Sequence, residues 1–259
     1  MATVKDPWEQ ALMRQSGQRL AEVGAVLREA IQPGVTTGEL DAIAEAEIRK
    51  RGAVPSFKGY TAGGDVPFPA TICASVNEEV VHGIPGDRPL NDGDIISIDM
   101  GLIYGGYHSD HAFTAAVGNV SDKVRKLLAA TEASLMRGIE QAVAGNRIGD
   151  IGHAVQSHID PLGFGIVREY VGHGIGRKLH EPPSVPNYGR PRKGNLLRAG
   201  MCLAIEPMIT LGDFRTEVLE DAWTVVTQDG SLAAHFEHTV LITDRGPEVL
   251  TAPQGAMRG

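Results

Sequence analysis

Apolar residues near the start of the chain recur with the period of an α-helix. From Leu12 to Ile31 most of them stand three, four or seven residues apart, which places them on one buried stripe. Asp6 can cap this helix, Pro7 suits its first position, and Glu9 can accept a hydrogen bond from the cap amide. The pattern therefore predicts a long helix from about Pro7 to Ile31.

A shorter helix is predicted directly after the first one. Pro33-Gly34 breaks the first helix, and Thr36 with Glu39 forms a second capping-box pattern. The apolar period then continues to about Gly52. The chain therefore begins with a pair of helices.

The helix pair returns later in the chain. Ser121 begins a helix of similar length, Ala144-Gly145 interrupts it, and another helix is expected from about Asp150 to Gly163. Matching positions stand 111 residues apart: Gly34 with Gly145, Gly38 with Gly149, Leu40 with Ile151, Ile48 with Ile159 and Gly52 with Gly163. Chance matching of glycines is the alternative. A duplication predicts two halves, about 10–118 and 121–245, packed as one pseudo-two-fold domain over residues 1–259.

Strand patterns follow each helix pair. Gly105-Gly106 divides residues 94–118 into two strand-like runs, and such a pair suits the positive φ angles of a tight hairpin. Further runs occupy residues 201–210, 222–228 and 235–243. The predicted fold class is α+β, with a curved, mainly antiparallel sheet and helices on its outer face.

The composition is typical of a soluble domain and argues against nucleic-acid and membrane binding. The chain has 259 residues, of which 42% are hydrophobic and 22% charged, as is ordinary for a soluble domain. A net charge of −8 argues against specific nucleic-acid binding. Neither a membrane span nor a secretory signal is present in the pattern, so a cytoplasmic location is expected. Cys73 and Cys202 lie in apolar stretches and are interpreted as buried thiols.

Two aspartates flank the predicted hairpin turn. If Gly105-Gly106 is a two-residue turn, Asp99 lies opposite Ala112 and Asp110 opposite Gly101, so both carboxylates share one face. A three-residue loop would place them on opposite faces. Solvated hairpin carboxylates are the simpler interpretation for isolated aspartates. Asp99, however, stands in an apolar run, where an unpaired charge is costly.

Three more residues of the same kind lie far along the chain. His173 stands between two glycines, Glu206 precedes Pro207 in an apolar run, and Glu237 interrupts a hydrophobic alternation. A hydrogen-bonded histidine and buried ion pairs are the alternatives, but the strand segments around the carboxylates contain no Lys or Arg. Four carboxylates and one imidazole suit two divalent cations, Mn, Fe(II), Co or Zn.

These segments resemble type I methionine aminopeptidases, members of the creatinase-like or pita-bread group. The matching segments are residues 75–85, 97–114, 171–183, 203–209, 223–227 and 236–242. The likeness covers nearly the whole chain in the family's order and spacing. It implies a pita-bread fold and hydrolysis of the peptide bond after an N-terminal methionine by metal-activated hydroxide, with a small second residue preferred.

The resemblance also implies roles residue by residue. Asp99, Asp110, His173, Glu206 and Glu237 fall at the five metal-ligand positions, with Asp110 and Glu237 bridging two divalent metal ions and Glu206 relaying a proton. His82 and His180 fall where two histidines contact the substrate; without the likeness each is a loop histidine. The methionine pocket corresponds to Tyr60, Phe68, Cys73, Leu179 and Trp223.

One loop departs from the family pattern. Residues 59–69 read GYTAGGDVPFP, longer than the usual GYHGYP-like loop, with Thr61 where His is common and Phe68 in place of Tyr. The rim of the pocket is thus expected to differ more than its base. The adjacent glycines indicate a flexible lid from Ala62 to Val66.

Two other functions fit parts of the pattern. Aminopeptidase P and prolidase share similar segments but usually carry an additional N-terminal domain, and a non-catalytic binding module would have lost its metals. The expected partner is the N-terminal methionine of nascent polypeptides, with the ribosome as a candidate docking partner. No membrane or specific nucleic acid is expected, and the chain is expected to be a monomer.

Overall fold

The computed structural model describes residues 3–61 and 64–252 of the chain. The predicted lid at Ala62–Val66 therefore lies partly outside the described residues. The helices are α1 (Pro7–Ala30), α2 (Thr37–Lys50), α3 (Asp122–Glu140) and α4 (Ile148–Ile159), which continues as a short 3₁₀ turn (Asp160–Leu162). Among the described residues, none of the helices has the length and apolar content that crossing a membrane requires.

The predicted caps begin three of these helices. The amide of Asp6 donates to Glu9 Oε2 at 2.9 Å. The Thr36 hydroxyl accepts from the amide of Glu39 at 3.1 Å, and Ser121 caps α3. Helix α4 is the exception, because it begins at Ile148, two residues before the predicted start.

The strands form one large sheet and two small ones, and each strand pair described is antiparallel. The large sheet has the order β1-β4-β5-β14-β9-β7-β8, with β2 on β4 and β15 on β14; the small sheets are β13-β10-β6 and β11-β12-β3. The strands are β1 (Val54–Pro55), β2 (Ile72–Val76), β3 (Glu79–Val81), β4 (Ile95–Tyr104), β5 (Tyr107–Ala116), β6 (Gly165–Ile166), β7 (Gly172–Gly174), β8 (Glu181–Val185), β9 (Cys202–Ile205), β10 (Met208–Thr210), β11 (Thr216–Val218), β12 (Val225–Thr227), β13 (Ala233–His235), β14 (Glu237–Thr243) and β15 (Gly246–Val249).

The two predicted runs at 201–210 and 235–243 are each divided. Pro207 separates β9 from β10, and these strands belong to different sheets. Proline has no N–H to donate to a ladder, and β9 lies between β14 and β7, so Pro207 ends the strand at this inner position of the sheet. In the second run, Phe236 lies between β13 and β14, which also belong to different sheets. The sequence pattern alone had indicated one strand in each run.

The two halves of the chain repeat the same contacts. Gly34 and Gly145 have φ angles of 93° and 97°. Their amides donate to the carbonyls of Leu90 and Leu197, at 2.7 and 3.0 Å respectively. A residue with a Cβ is strained at such φ angles, which explains why glycine stands at both positions. The predicted duplication therefore extends to backbone conformation.

The halves meet where β5 pairs with β14. The register partners there are Ala112 with Glu237 and His111 with His238. Two threonines extend this short ladder. The hydroxyl of Thr239 donates to the carbonyl of Asp110 at 2.8 Å and accepts from its amide at 2.9 Å. The hydroxyl of Thr114 does the same for His235, at 2.9 and 2.8 Å.

The helices cover one face of the large sheet and leave the other for the site. Helix α1 packs on β4 and β5. A Cβ at Gly24 in this helix would lie 3.4 Å from the His111 ring and 3.6 Å from Met100 Cε. Because neighbouring residues in a strand point to opposite faces, Asp110 and Asp99 face away from α1.

We predict that Thr114→Val and Thr239→Val each lower the free energy of unfolding by about 1–3 kcal/mol, because each leaves a buried amide and carbonyl without a partner. Urea unfolding of the purified variants measures this. Thr216→Val is the control, since that side chain lies on the edge strand β11. Two variants as stable as the control would contradict a role for these hydroxyls in joining the halves.

Candidate active site and metal centre

The sheet register brings three carboxylates to one face. Tyr104 pairs with Tyr107, so Gly105-Gly106 is the predicted two-residue turn, and Asp99 opposes Ala112 while Asp110 opposes Gly101. Ala112 also opposes Glu237 on the other side. Directly opposed residues of antiparallel strands share a face, and the small Ala112 leaves space between the carboxylates.

His173 and Glu206 complete the cluster from the neighbouring strands. His173 opposes Ala204 of β9, and Glu206 follows that strand directly. The Nε2 atom of His173 lies 3.6 Å from Glu206 Oε1 and 3.8 Å from Asp110 Oδ2. Potential ligand atoms of Asp110, His173 and Glu237 all lie within 4.8 Å of one another. The five predicted metal ligands therefore converge.

The carboxyl groups disturb each other's ionisation. Burial raises the pKa of Asp99 to about 7. Burial and the charges of Asp99 and Glu206 raise the pKa of Asp110, and burial with the neighbouring carboxylates raises that of Glu237. Burial also opposes ionisation of Glu206, but the adjacent histidines lower its pKa overall, and His235 has the largest effect among them. The cluster thus holds more negative charge than its surroundings stabilise.

The donor set fits divalent cations. One buried oxygen each of Asp99, Asp110 and Glu237 has no hydrogen-bond partner, and no Lys or Arg among residues 3–61 and 64–252 forms an ion pair with them. The Nδ1 atom of His173 lies 2.9 Å from the carbonyl of Gly174, which can only accept. Nδ1 therefore carries the proton, and the Nε2 lone pair is free to bind a metal.

One cavity of about 410 Å³ joins this cluster to an apolar wall. Phe68 and Trp223 pack edge to face, with ring centroids 5.2 Å apart. Cys73 opposes Asp99 in the sheet, which places the thiol beside the carboxylates, and burial raises its pKa. The cavity is lined by all twelve predicted site residues: Tyr60, Phe68, Cys73, His82, Asp99, Asp110, His173, Leu179, His180, Glu206, Trp223 and Glu237.

The two predicted substrate histidines both line the cavity. His82 has a φ of 60° and packs its ring edge to face with Trp223, 5.9 Å between centroids. The ring of His180 lies 4.2 Å from that of His173, and its Nδ1 is 2.6 Å from the Tyr60 hydroxyl. Partial burial lowers the pKa of both His82 and His180 to about 4, so both are neutral near pH 7.

The sequence reasoning missed several residues at this site. Phe57, Val81, Tyr170 and Val171 also line the cavity, and their apolar side chains resemble any core residue in the sequence. His235 is 1% exposed, both its ring nitrogens lack a hydrogen-bond partner, and its Nε2 lies 3.6 Å from Glu206 Oε2. The sequence signal that could have found His235 is its position two residues before Glu237, because alternate residues of a strand point to the same face.

Comparison with known proteins identifies the family. The model of metallopeptidase family M24 matches residues 11–244. Methionine aminopeptidase 1 of Bacillus subtilis is 52% identical over 97% of this chain and 99% of that protein. The chain belongs to metallopeptidase family M24, among its methionine aminopeptidases. The resemblance seen in the sequence is thereby confirmed.

Solved structures of the M24 family share the fold. The crystal structure of a methionine aminopeptidase from Thermotoga maritima matches with a TM-score of 0.94 and 43% identity, covering 97% of this chain and 100% of that one. A prolidase from Pyrococcus furiosus matches with a TM-score of 0.77 at 23% identity, over 97% of this chain and 66% of that one. The prolidase likeness shows the fold alone. The predicted pita-bread architecture is confirmed.

The raised pKa values predict how metal binding depends on pH. Carboxyl groups with a higher pKa in the folded chain bind more protons there, so the metal-free protein loses stability as pH rises from about 4 to about 7. Metal ligands must be deprotonated, so Mn²⁺ competes with these protons. We expect saturating Mn²⁺ to raise the melting temperature by about 5 °C or more at pH 7.5. The increase should be smaller at pH 5.5.

Differential scanning fluorimetry with and without Mn²⁺ measures both shifts. Asp99→Asn should reduce the shift at pH 7.5 and weaken its pH dependence, whereas Asp122→Asn, on the exposed first turn of α3, should change neither. A Mn²⁺ shift that is larger at pH 5.5 than at pH 7.5 would contradict the assignment of these carboxyl groups as ligands.

Proposed function

We propose that the chain removes the N-terminal methionine from polypeptides with two divalent metal ions held by Asp99, Asp110, His173, Glu206 and Glu237. The observation that carries this proposal is the single cavity in which the charged cluster meets an apolar wall. Membership of the M24 family, with relatives named methionine aminopeptidase, supports the same reaction. Mn, Fe(II), Co and Zn all suit the oxygen-rich donor set with one imidazole.

Two ions are the number that balances the charge. Four carboxylates carry about −4 and the neutral imidazole adds nothing, so two doubly charged cations cancel the total. Asp110 and Glu237 each have an unpartnered oxygen and lie on adjacent strands, so both carboxylates would help to hold the ions. Bound cations would supply Lewis acidity, which polarises a carbonyl group and lowers the pKa of water towards neutrality.

Glu206 is proposed to accept and relay the proton. Its lowered pKa keeps it ionised at neutral pH, and it lies between His173 and His235 on the cavity wall. A carboxylate so placed can take a proton from the attacking water and pass it to the leaving nitrogen. This role adds to its role as a metal ligand.

The neutral histidines are proposed to contact the reacting amide. If the Tyr60 hydroxyl donates to Nδ1 of His180, the proton of that imidazole is on Nε2, where it can be donated to a carbonyl oxygen. Such a donor stabilises the negative charge that develops on the oxygen during hydrolysis. His82, which lines the same cavity, is proposed to orient the scissile amide.

The apolar wall supports selection of methionine at the first position. Phe68, Cys73, Leu179 and Trp223 are buried, and Tyr60 closes the group. An unbranched thioether side chain adapts to an irregular apolar slot of this kind. A site that is narrow beyond this slot would account for the expected preference for a small second residue.

The remaining expectations about the whole chain follow from this site. Because the two halves each supply ligands, we propose that residues 1–259 act as one domain. A cytoplasmic location, a monomeric state and docking on the ribosome stay predictions from the sequence.

We predict that the purified chain with Mn²⁺ or Co²⁺ cleaves Met-Ala-Ser and Met-Gly-Ser peptides and releases free methionine, and that a chelator abolishes the rate. Chromatography of the released amino acid measures it. Peptides that begin Met-Trp should react at least ~10-fold more slowly, because a bulky second residue does not fit beside the charged cluster. Preferential cleavage of X-Pro peptides would assign the chain to the proline-directed branch instead.

Glu206→Gln should lower kcat on Met-Ala-Ser by ~100-fold or more, because an amide is isosteric but cannot accept the proton. Stopped assays over a Mn²⁺ titration separate this loss from weaker metal binding. Glu217→Gln on exposed strand β11 is the matched control and should retain wild-type kcat. Full activity of Glu206→Gln at saturating Mn²⁺ would contradict the proposed role of Glu206 as the proton acceptor.

A further inference from the structure

A buried ion pair ties the N-terminal segment to the loop that carries His180. Lys5 Nζ lies 2.8 Å from Glu181 Oε2, and the two side chains are only 4% and 9% exposed. Glu181 follows His180 directly and begins β8. The pair therefore joins residues 176 positions apart in the sequence beside the candidate active site.

The pair is satisfied on both sides, as buried charges require. Lys5 Nζ also donates to the Thr3 hydroxyl at 2.6 Å, and that hydroxyl donates to Glu181. The second carboxylate oxygen of Glu181 accepts from the amide of Lys178 at 3.2 Å. Burial would raise the pKa of Glu181, but the hydrogen bonds from Lys5 and Thr3 lower it overall. Glu181 is thus an ionised acceptor of three donors.

Lys5 itself stands on a rigid support. Its amide donates to the carbonyl of Gly200 at 2.7 Å, and its carbonyl accepts from Gln10 Nε2 in α1 at 2.8 Å. Val4 forms a bridge with Met201, just before β9. The ammonium group is therefore fixed relative to the sheet that carries the metal ligands.

The loop between β7 and β8, residues 175–180, packs tightly on this pair. A Cβ at Gly176 would lie 2.5 Å from Lys5 Cε and 2.9 Å from Glu181 Oε1, so any larger residue there would displace the two paired side chains. The carbonyl of Gly176 accepts from the amide of His108 in β5 at 2.7 Å. Glu181 is the register partner of Gly174, which follows His173. The loop is held at both ends, and its last residues before Glu181 are Leu179 and His180.

We propose that Lys5 and Glu181 are positioning residues, which hold the 175–180 loop so that His180 and Leu179 stay in place over the cavity. The proposal rests on the proposed function for the reaction that it affects. Neither residue lines the cavity. Their effect reaches the substrate through the loop, whereas the ligands Asp99, Asp110 and Glu237 stand on β4, β5 and β14.

The test uses Lys5→Met, which removes the charge and keeps the apolar stem, Glu181→Gln, and the double variant. Each is assayed for kcat and KM on Met-Ala-Ser, for Mn²⁺ affinity by calorimetry, and for hydrogen exchange of residues 175–181. Arg14→Met is the matched control, because it breaks a 2.7 Å ion pair with Glu248 that is half-exposed and joins α1 to β15.

Each single variant should lower kcat about tenfold to a hundredfold, as expected when a reacting group is misplaced by about 1 Å. Hydrogen exchange should rise within residues 175–181, while Mn²⁺ affinity stays within about twofold of wild type. The double variant should be more active than either single variant, because neither charge remains buried without a partner. Arg14→Met should change none of these quantities.

The proposal is overturned if Lys5→Met and Glu181→Gln keep wild-type kcat and wild-type exchange in the loop. It is equally overturned if exchange rises throughout the chain rather than in residues 175–181, because the pair then acts on global stability. If the wild-type chain does not cleave methionine peptides at all, the proposed function fails, and the exchange measurement still decides whether the pair holds the loop.

Discussion

The structure depends on a concentration of negative charge on one face of a buried sheet. Asp99, Asp110 and Glu237 have oxygens with no hydrogen-bond partner, in a setting where an isolated carboxylate is costly. Protonation relieves part of this cost, which is why the pKa of Asp99 rises to about 7. Divalent cations relieve it more completely at neutral pH. Cations bound to these carboxylates would therefore also stabilise the folded chain near pH 7.

The duplicated fold explains how the four carboxylates meet. In the first half Gly93 precedes Asp99, and in the second half Gly200 precedes Glu206 by the same six residues; both glycines have positive φ, 98° and 89°. Each of these acidic residues lies in or directly after a strand beside a second strand that carries another acid, Asp110 in β5 and Glu237 in β14. Because β5 pairs with β14, the two acidic pairs face each other across the seam. Loss of that pairing would separate the ligands before it exposed the core.

Local patterns made much of this predictable from the sequence. Caps and glycine turns are short-range signals, so the helix pairs and the Gly105-Gly106 hairpin were found, and the hairpin register followed from residue counting alone. The four acidic ligands could be grouped because apolar strands rarely carry acids without a partner, and His173 was singled out by its two flanking glycines. What could not be predicted involves contacts between distant segments. The hydrogen bond from Tyr60 to His180 and the position of His235 beside Glu206 join segments whose distance no local rule encodes. The division of residues 201–210 between two sheets was missed for the same reason, although Pro207 was its signal.

The placement of charge also favours removal of a terminal residue over cleavage within a chain. The carboxylates and the apolar side chains line the same cavity, so a polypeptide whose first side chain lies among the apolar residues has its α-amino group near the carboxylates. An internal peptide segment has a neutral amide there, with more chain to accommodate beyond it. A terminal amine in its deprotonated form has a lone pair that a metal ion can bind, whereas an internal amide nitrogen does not. Selectivity for the chain end would thus arise from the cations that the carboxylates hold, without a separate recognition element.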